Sequence, residues 1–232
     1  MGHAKDWTIG FDADDTLWQN EQFFRLTQGR FAGLLADYVA PEHLQHQLLA
    51  AERRNLGHYG FGIKGFVLSM IETAIEVTEG RVPAAVISEL LDAGREMLRH
   101  PVDLLPGARD AVLALADRAD LVLITKGDLL DQERKLAQSG LGDLFDAVEI
   151  VSDKTPAIYA RIFARHGAAR AMMVGNSLKS DVIPAIEAGG WGVHVPHDLT
   201  WALEHAEAPR TDPKFREIGS LFELPELVEG LG

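Results

Sequence analysis

A chain of 232 residues, 47% hydrophobic and 25% charged, can bury a real core, and its length fits one domain carrying a large insertion better than two full-sized domains. Its 35 acidic against 22 basic residues leave a net charge of −13, which argues against broad attraction to nucleic acid or an anionic membrane, so an anionic ligand would have to be met by local cations or a metal. The absence of cysteine excludes disulfides, zinc–thiolate sites and cysteine nucleophiles, and with no apolar leader in residues 1–6 and no stretch long enough to span a bilayer the expected location is the cytoplasm.

The first element is a short β-forming run, Trp7-Thr8-Ile9-Gly10-Phe11, that stops at the carboxylates Asp12, Asp14 and Asp15. Side chains alternate along an extended strand, so Asp12 and Asp14 are expected to face one ligand with Asp15 turned elsewhere. Such a pair fits a metal site, an acid/base pair, or a nucleophile with its proton donor. For Asp15 and Thr16 a plain helix cap is the competing reading.

From Trp18 to about His100 the pattern is helical. Asn20 to Tyr38 carries Phe23, Phe24, Phe31, Leu34 and Leu35 near helical spacing, and Pro41 opens a second helix with Leu44, Leu48 and Leu49. After the break Gly57-His58-Tyr59-Gly60-Phe61-Gly62, a stripe of Ile63, Phe66, Val67, Met70, Ile71, Ala74 and Val77 predicts a third helix, and Pro83 begins a fourth that ends before Pro101. The domain expectation is a core formed by residues 1–17 and 101–232, with residues 18–100 inserted as a four-helix cap that could act as a lid excluding water and choosing the substrate.

Beyond Pro106, helix and strand alternate. Helices are predicted over Gly107 to Ala116, Leu129 to Gln138, Pro156 to His166 and Val182 to Glu187; strands over Leu121–Thr125, Val148–Val151, Ala171–Val174 and Trp191–Val195, with a closing strand and helix between Phe215 and Val228. The unbroken apolar run before Thr125 marks a strand buried on both faces. The fold class expected is α/β, a Rossmann-like doubly wound parallel sheet.

Each core strand is followed by polar residues at what becomes one edge of the sheet: Asp12 and Asp14, then Thr125 with Lys126, then Lys154, then Gly175-Asn176-Ser177 with Asp181. That set suits phosphoryl transfer, in which an enzyme positions phosphorus and neutralises its oxygens. Thr125 can donate to a phosphoryl oxygen, Lys154 can pair with it and relieve repulsion from Asp12, and Asp12, Asn176 and Asp181 offer hard oxygens to Mg²⁺.

These residues resemble the motifs of the haloacid dehalogenase-like hydrolase superfamily. The DxDxT motif falls on Asp12-Ala13-Asp14-Asp15-Thr16, the apolar strand ending in Thr on Leu121 to Thr125, the lysine motif on Lys154, and a GDxxxxD-like motif on Gly175 to Asp181. The resemblance covers essentially the whole chain, with a helical cap of the type inserted after the first strand. It implies that Asp12 is the nucleophile and a metal ligand, and that Asp14 is the general acid/base, offering its backbone carbonyl to Mg²⁺. It further implies that Thr125 and Lys154 bind the phosphoryl group and that Asn176 and Asp181 complete the metal shell. Asn176 departs from the family's usual aspartate, with the loss of one negative charge.

The function expected is a Mg²⁺-dependent phosphatase of a small phosphorylated metabolite. A phosphomutase on the same core and a non-catalytic phosphometabolite-binding protein are the alternatives. Dehalogenation is disfavoured because a halide leaves without protonation and has no use for Asp14. Lys126 and Lys64 are further candidates for substrate contact; Lys64 equally reads as a solvated helix-end lysine, and Tyr59 and Phe61 as packing or as a specificity loop. Asp128 reads as lining the pocket or capping a helix, and His194 and His197 as structural.

Overall fold

The computed structural model describes residues 5–166 and 170–231. The chain forms strands β1 (Trp7–Phe11), β2 (Ala119–Lys126), β3 (Ala147–Val151), β4 (Arg170–Gly175), β5 (Trp191–His194) and β6 (Phe215–Glu217). Its helices are α1 (Glu21–Leu34), α2 (Pro41–Tyr59), α3 (Ile63–Val77), α4 (Ala84–Arg99), α5 (Ala108–Ala116), α6 (Leu129–Ser139), α7 (Pro156–His166), α8 (Ile183–Glu187) and α9 (Leu224–Gly230). A π-helical turn, Leu178–Val182, runs directly into α8.

The six strands make one sheet in the order β3-β2-β1-β4-β5-β6, and neighbouring strands pair in parallel. Alternate residues of the central strands feed two different cores. Ile9, Phe11, Leu121, Leu123, Met172 and Val174 pack with Ala108, Val112 and Leu115 of α5 and with Leu224 and Val228 of α9. Val122, Ile124 and Met173 pack on the other face with Tyr159, Ile162 and Phe163 of α7 and Ala185 of α8. Burial on both faces is why these strands read as continuous apolar runs, and each fully buried side chain contributes roughly 1.5–3 kcal/mol. The fold is thus the doubly wound α/β sheet expected.

Two compact units are distinguished: one built from the chain up to Glu21, Val102–Lys126 and Gln132 onward, the other from Gln22–Pro101 together with Gly127–Asp131. The helical unit has its own core of Phe31, Leu44, Leu48, Ile63, Phe66, Met70, Leu90 and Met97, supplied by all four helices α1 to α4. Residues 18–21 belong with the sheet unit because their backbone is tied there. Trp18 carbonyl accepts from Asp15 N–H at 2.7 Å and Gln19 N–H donates to Asp103 carbonyl at 2.9 Å.

The strand order reverses between β1 and β4. At such a switch point the connections leave on opposite faces and open a crevice at the carboxyl ends of the strands. Asp12 follows β1 and Asn176 follows β4, so both stand at that crevice.

Candidate active site

Asp12 continues the ladder one residue past β1, its N–H donating to Val174 carbonyl at 2.9 Å. Its carboxylate is buried, accepting from Lys154 Nζ at 2.5 Å and from Thr16 Oγ1 at 3.2 Å. Lys154 also meets Asp181 Oδ1 at 2.6 Å, so one buried ammonium serves two carboxylates, and with both ionised the trio carries one excess negative charge. Burial, and then repulsion from Asp181, push the Asp12 carboxyl up to about 7 against the pull of Lys154. Burial alone would lower Lys154, but Asp12 and Asp181 outweigh it and hold the ammonium above its ordinary range.

Asp181 is wholly buried, and its second oxygen accepts the Ser177 N–H at 3.0 Å. It lies so close beneath Gly175 that a Cβ there would stand 2.3 Å from Asp181 Oδ2. Gly175 is therefore required by close approach. Gly175→Ala is expected to displace Asp181 and with it Lys154, lowering stability by about 1–3 kcal/mol as other overpacked sites do; urea unfolding of the two proteins checks this.

Asp14 has a different set of partners. The strand ends at Phe11, and the chain then coils over Ala13, whose carbonyl accepts from the N–H groups of Thr16, Leu17 and Trp18. Strand alternation therefore does not govern Asp14. Its Oδ1 accepts from Trp18 Nε1 at 2.7 Å and Lys135 Nζ at 2.9 Å, and its Oδ2 from Gln132 Nε2 at 2.8 Å. Asp15 turns away, with φ of 60°, a left-handed conformation that Asp tolerates. Its carboxylate accepts the Asn20 N–H at 2.8 Å and the Glu21 N–H at 3.0 Å, capping the start of α1. Burial and Asp14 push its carboxyl up to about 6.

Thr125, at the end of β2, is buried, and its hydroxyl donates to Lys126 carbonyl at 3.3 Å. Lys126 Nζ is held by Glu204 at 2.7 Å and Ser180 Oγ at 2.8 Å. Glu204 in turn accepts from Ser177 Oγ at 2.6 Å and from the Ser180 hydroxyl. Burial alone would raise the Glu204 carboxyl, but Lys126 and the two serines hold it below its ordinary range. Lys126 thus helps fasten the loop after β4. Lys64, in the helical unit, has a side chain 57% exposed and pairs with Asp128 at 3.3 Å. His194 lies between Asn176 carbonyl and Glu217 carboxylate, 3.1 Å from each, and His197 Nε2 is 3.9 Å from Asp15, so both brace loops.

Thr16 does more than the cap reading allowed. Its hydroxyl donates to Asp12 Oδ2 at 3.2 Å and to Asn176 Oδ1 at 3.3 Å as alternatives, and it accepts the Asn176 N–H at 3.0 Å. One small side chain therefore brings an anionic and an amide oxygen from two loops to the same point. Oxygen donors of this kind beside an uncompensated negative charge fit a hard divalent cation such as Mg²⁺. Lys135, Gln132, Trp18, Glu204 and Ser180 were not among the expected site residues. A readable signal existed for the first two: Gln132, Lys135 and Ser139 form a polar stripe at helical spacing in α6, and all three are buried.

The doubly wound sheet, with this cluster at its switch point, defines the class. The chain belongs to the haloacid dehalogenase-like hydrolase family, whose model matches residues 8–189. It is similar over 99% of its length, at 44% identity and a TM-score of 0.87, to 93% of a haloacid dehalogenase-like family hydrolase from Xanthomonas campestris of known structure. It is 25% identical over 236 residues to pyrimidine 5′-nucleotidase YjjG of Escherichia coli K12, covering 96% of this chain and 97% of that one. L-2-haloacid dehalogenase from Xanthobacter autotrophicus shares the fold, at 21% identity and a TM-score of 0.66 over 98% of this chain and all of that one.

Proposed function

We propose that this family member is a Mg²⁺-dependent phosphatase of a small phosphorylated metabolite, working through an aspartyl-phosphate on Asp12. The observation that carries the reading is the separate tethering of two carboxylates: Asp12 by Lys154 and Thr16, Asp14 by Trp18, Gln132 and Lys135. An Asp12 oxygen attacks phosphorus and the bond to the leaving oxygen breaks, with Asp14 giving that oxygen its proton. Asp14 then takes a proton from water as the water attacks phosphorus, and inorganic phosphate leaves Asp12 free. Lys154 and Thr125 donate to the phosphoryl oxygens.

The residues that would hold Mg²⁺ are Asp12, the Asp14 backbone carbonyl and Asn176, with Asp181 behind them on Lys154 and Ser177. Bound there, the cation neutralises charge on the phosphoryl group. A halide needs no proton on leaving, so a dehalogenase reading leaves Asp14 and its three donors without a task.

The test is a phosphate-release screen in Mg²⁺ and in EDTA, using sugar phosphates, phospho-acids and, prompted by the Escherichia coli relative, pyrimidine nucleoside monophosphates. Mg²⁺-dependent phosphate release is expected, with Asn176→Asp reaching half-maximal rate at lower Mg²⁺. Halide release from a 2-haloacid without phosphatase activity would overturn the reading, and transfer of the phosphoryl group to a second hydroxyl would favour a mutase.

A further inference from the structure

Helix α6 brings Gln132 and Lys135, three residues and so about one turn apart, against Asp14. Both are buried, at 3% and 8% exposure, where a lysine is found only with strong partners. Lys135 Nζ lies 2.9 Å from Asp14 Oδ1 and 2.9 Å from Asn20 Oδ1, which fixes the ammonium between them. Gln132 Nε2 lies between Asp14 Oδ2 at 2.8 Å and Lys126 carbonyl at 3.1 Å, which fixes the amide's orientation. That orientation leaves Gln132 Oε1 buried without a hydrogen-bond partner. A buried polar atom is normally paired, so this glutamine is held for what its Nε2 does.

A carboxylate offers about four lone-pair sites. On Oδ1 of Asp14 both are taken, by Trp18 and Lys135; on Oδ2 one is taken, by Gln132. We propose that Lys135 and Gln132 are positioning residues that lock the Asp14 carboxylate and leave one lone pair of Oδ2 as the place where the transferred proton is carried. This rests on the phosphatase reading. The clasp fixes the direction from which the proton reaches the leaving oxygen, and a misplacement of about 1 Å at such a step costs on the order of 100-fold.

The test compares kcat/KM for two substrates that differ in their need for that proton. The leaving group of 2,4-dinitrophenyl phosphate departs unprotonated, whereas an alkyl phosphate requires a proton on the leaving oxygen. In Lys135→Met, kcat/KM for the alkyl phosphate is expected to fall about 100-fold, while that for the dinitrophenyl ester stays within about threefold. Lys135→Arg is expected to recover much of the loss by restoring a charged donor. In an Asp14→Asn background, Lys135→Met should add nothing, because the two act as one unit.

Equal losses on both substrates, or additive losses in the double variant, would overturn the role. So would full activity of Lys135→Met on the alkyl ester. Absence of hydrolysis of both esters by the unaltered protein would instead overturn the phosphatase reading, and this role with it.

Discussion

Asp12→Asn is expected to abolish the proposed phosphate-ester hydrolysis, lowering kcat by on the order of 10⁴-fold or more, because the nucleophile proposed at Asp12 is not replaced by the groups around it. The same variant is expected to be more resistant to unfolding than the parent at pH 8 when no metal is present. Burial and Asp181 hold the Asp12 carboxyl at about 7 in the folded protein, whereas it titrates near 3.9 in an unfolded chain. Between those values the folded state binds more protons than the unfolded one, so stability falls as pH rises through that window. Asparagine carries no charge and escapes the loss. Thermal unfolding at pH 8 should favour the variant, and the difference should shrink toward pH 4. Retained turnover would contradict the role of Asp12, and a variant less stable at pH 8 would contradict the account of its burial.

Lys154→Met carries the largest expected cost in stability. Its ammonium is the shared partner of Asp12 and Asp181, at 2.5 and 2.6 Å, and all three side chains are buried. Removing one partner of a buried ionic cluster typically costs about 3–5 kcal/mol, since the remaining charges are left uncompensated. For a chain of this size that lowers the melting temperature by roughly 6–20 °C. The loss should be greatest at pH 8 and smaller at pH 5, where a carboxyl raised toward 7 takes up a proton. Adding Asp181→Asn should recover part of the stability and none of the activity, because the ammonium proposed to bind the phosphoryl group is still missing. Calorimetry of the single and double variants at both pH values measures each part.

The sheet was legible because its strands are buried on both faces. Leu121 to Thr125 reads as a strand buried on both faces, and β2 buries that whole run. The convergence of Asp12, Lys154 and Asp181 followed from strand ends sharing one edge, and the structure brings those three within ion-pair distance. The partners of Asp14 were harder to see. Strand alternation ends at Phe11, where the chain begins to coil, and Asp15 at positive φ redirects it there. Lys135 and Gln132 lie 121 and 118 residues from Asp14, so only the polar stripe on α6 could have pointed to them. Glu204 ends a single 3₁₀ turn, Ala202–Glu204, in the connection between β5 and β6, too short for periodicity to constrain a reading. Lys126, expected at the substrate, pairs with that glutamate.

Covalent chemistry at Asp12 is tested most directly by looking for the covalent species. Protein turning over a phosphate monoester in Mg²⁺ is quenched in acid, digested and analysed by mass spectrometry. A phosphoryl group on Asp12 is expected within the peptide around Phe11-Asp12-Ala13-Asp14, absent from Asp12→Asn. A phosphoryl group on another residue, or steady turnover by Asp12→Asn, would contradict it.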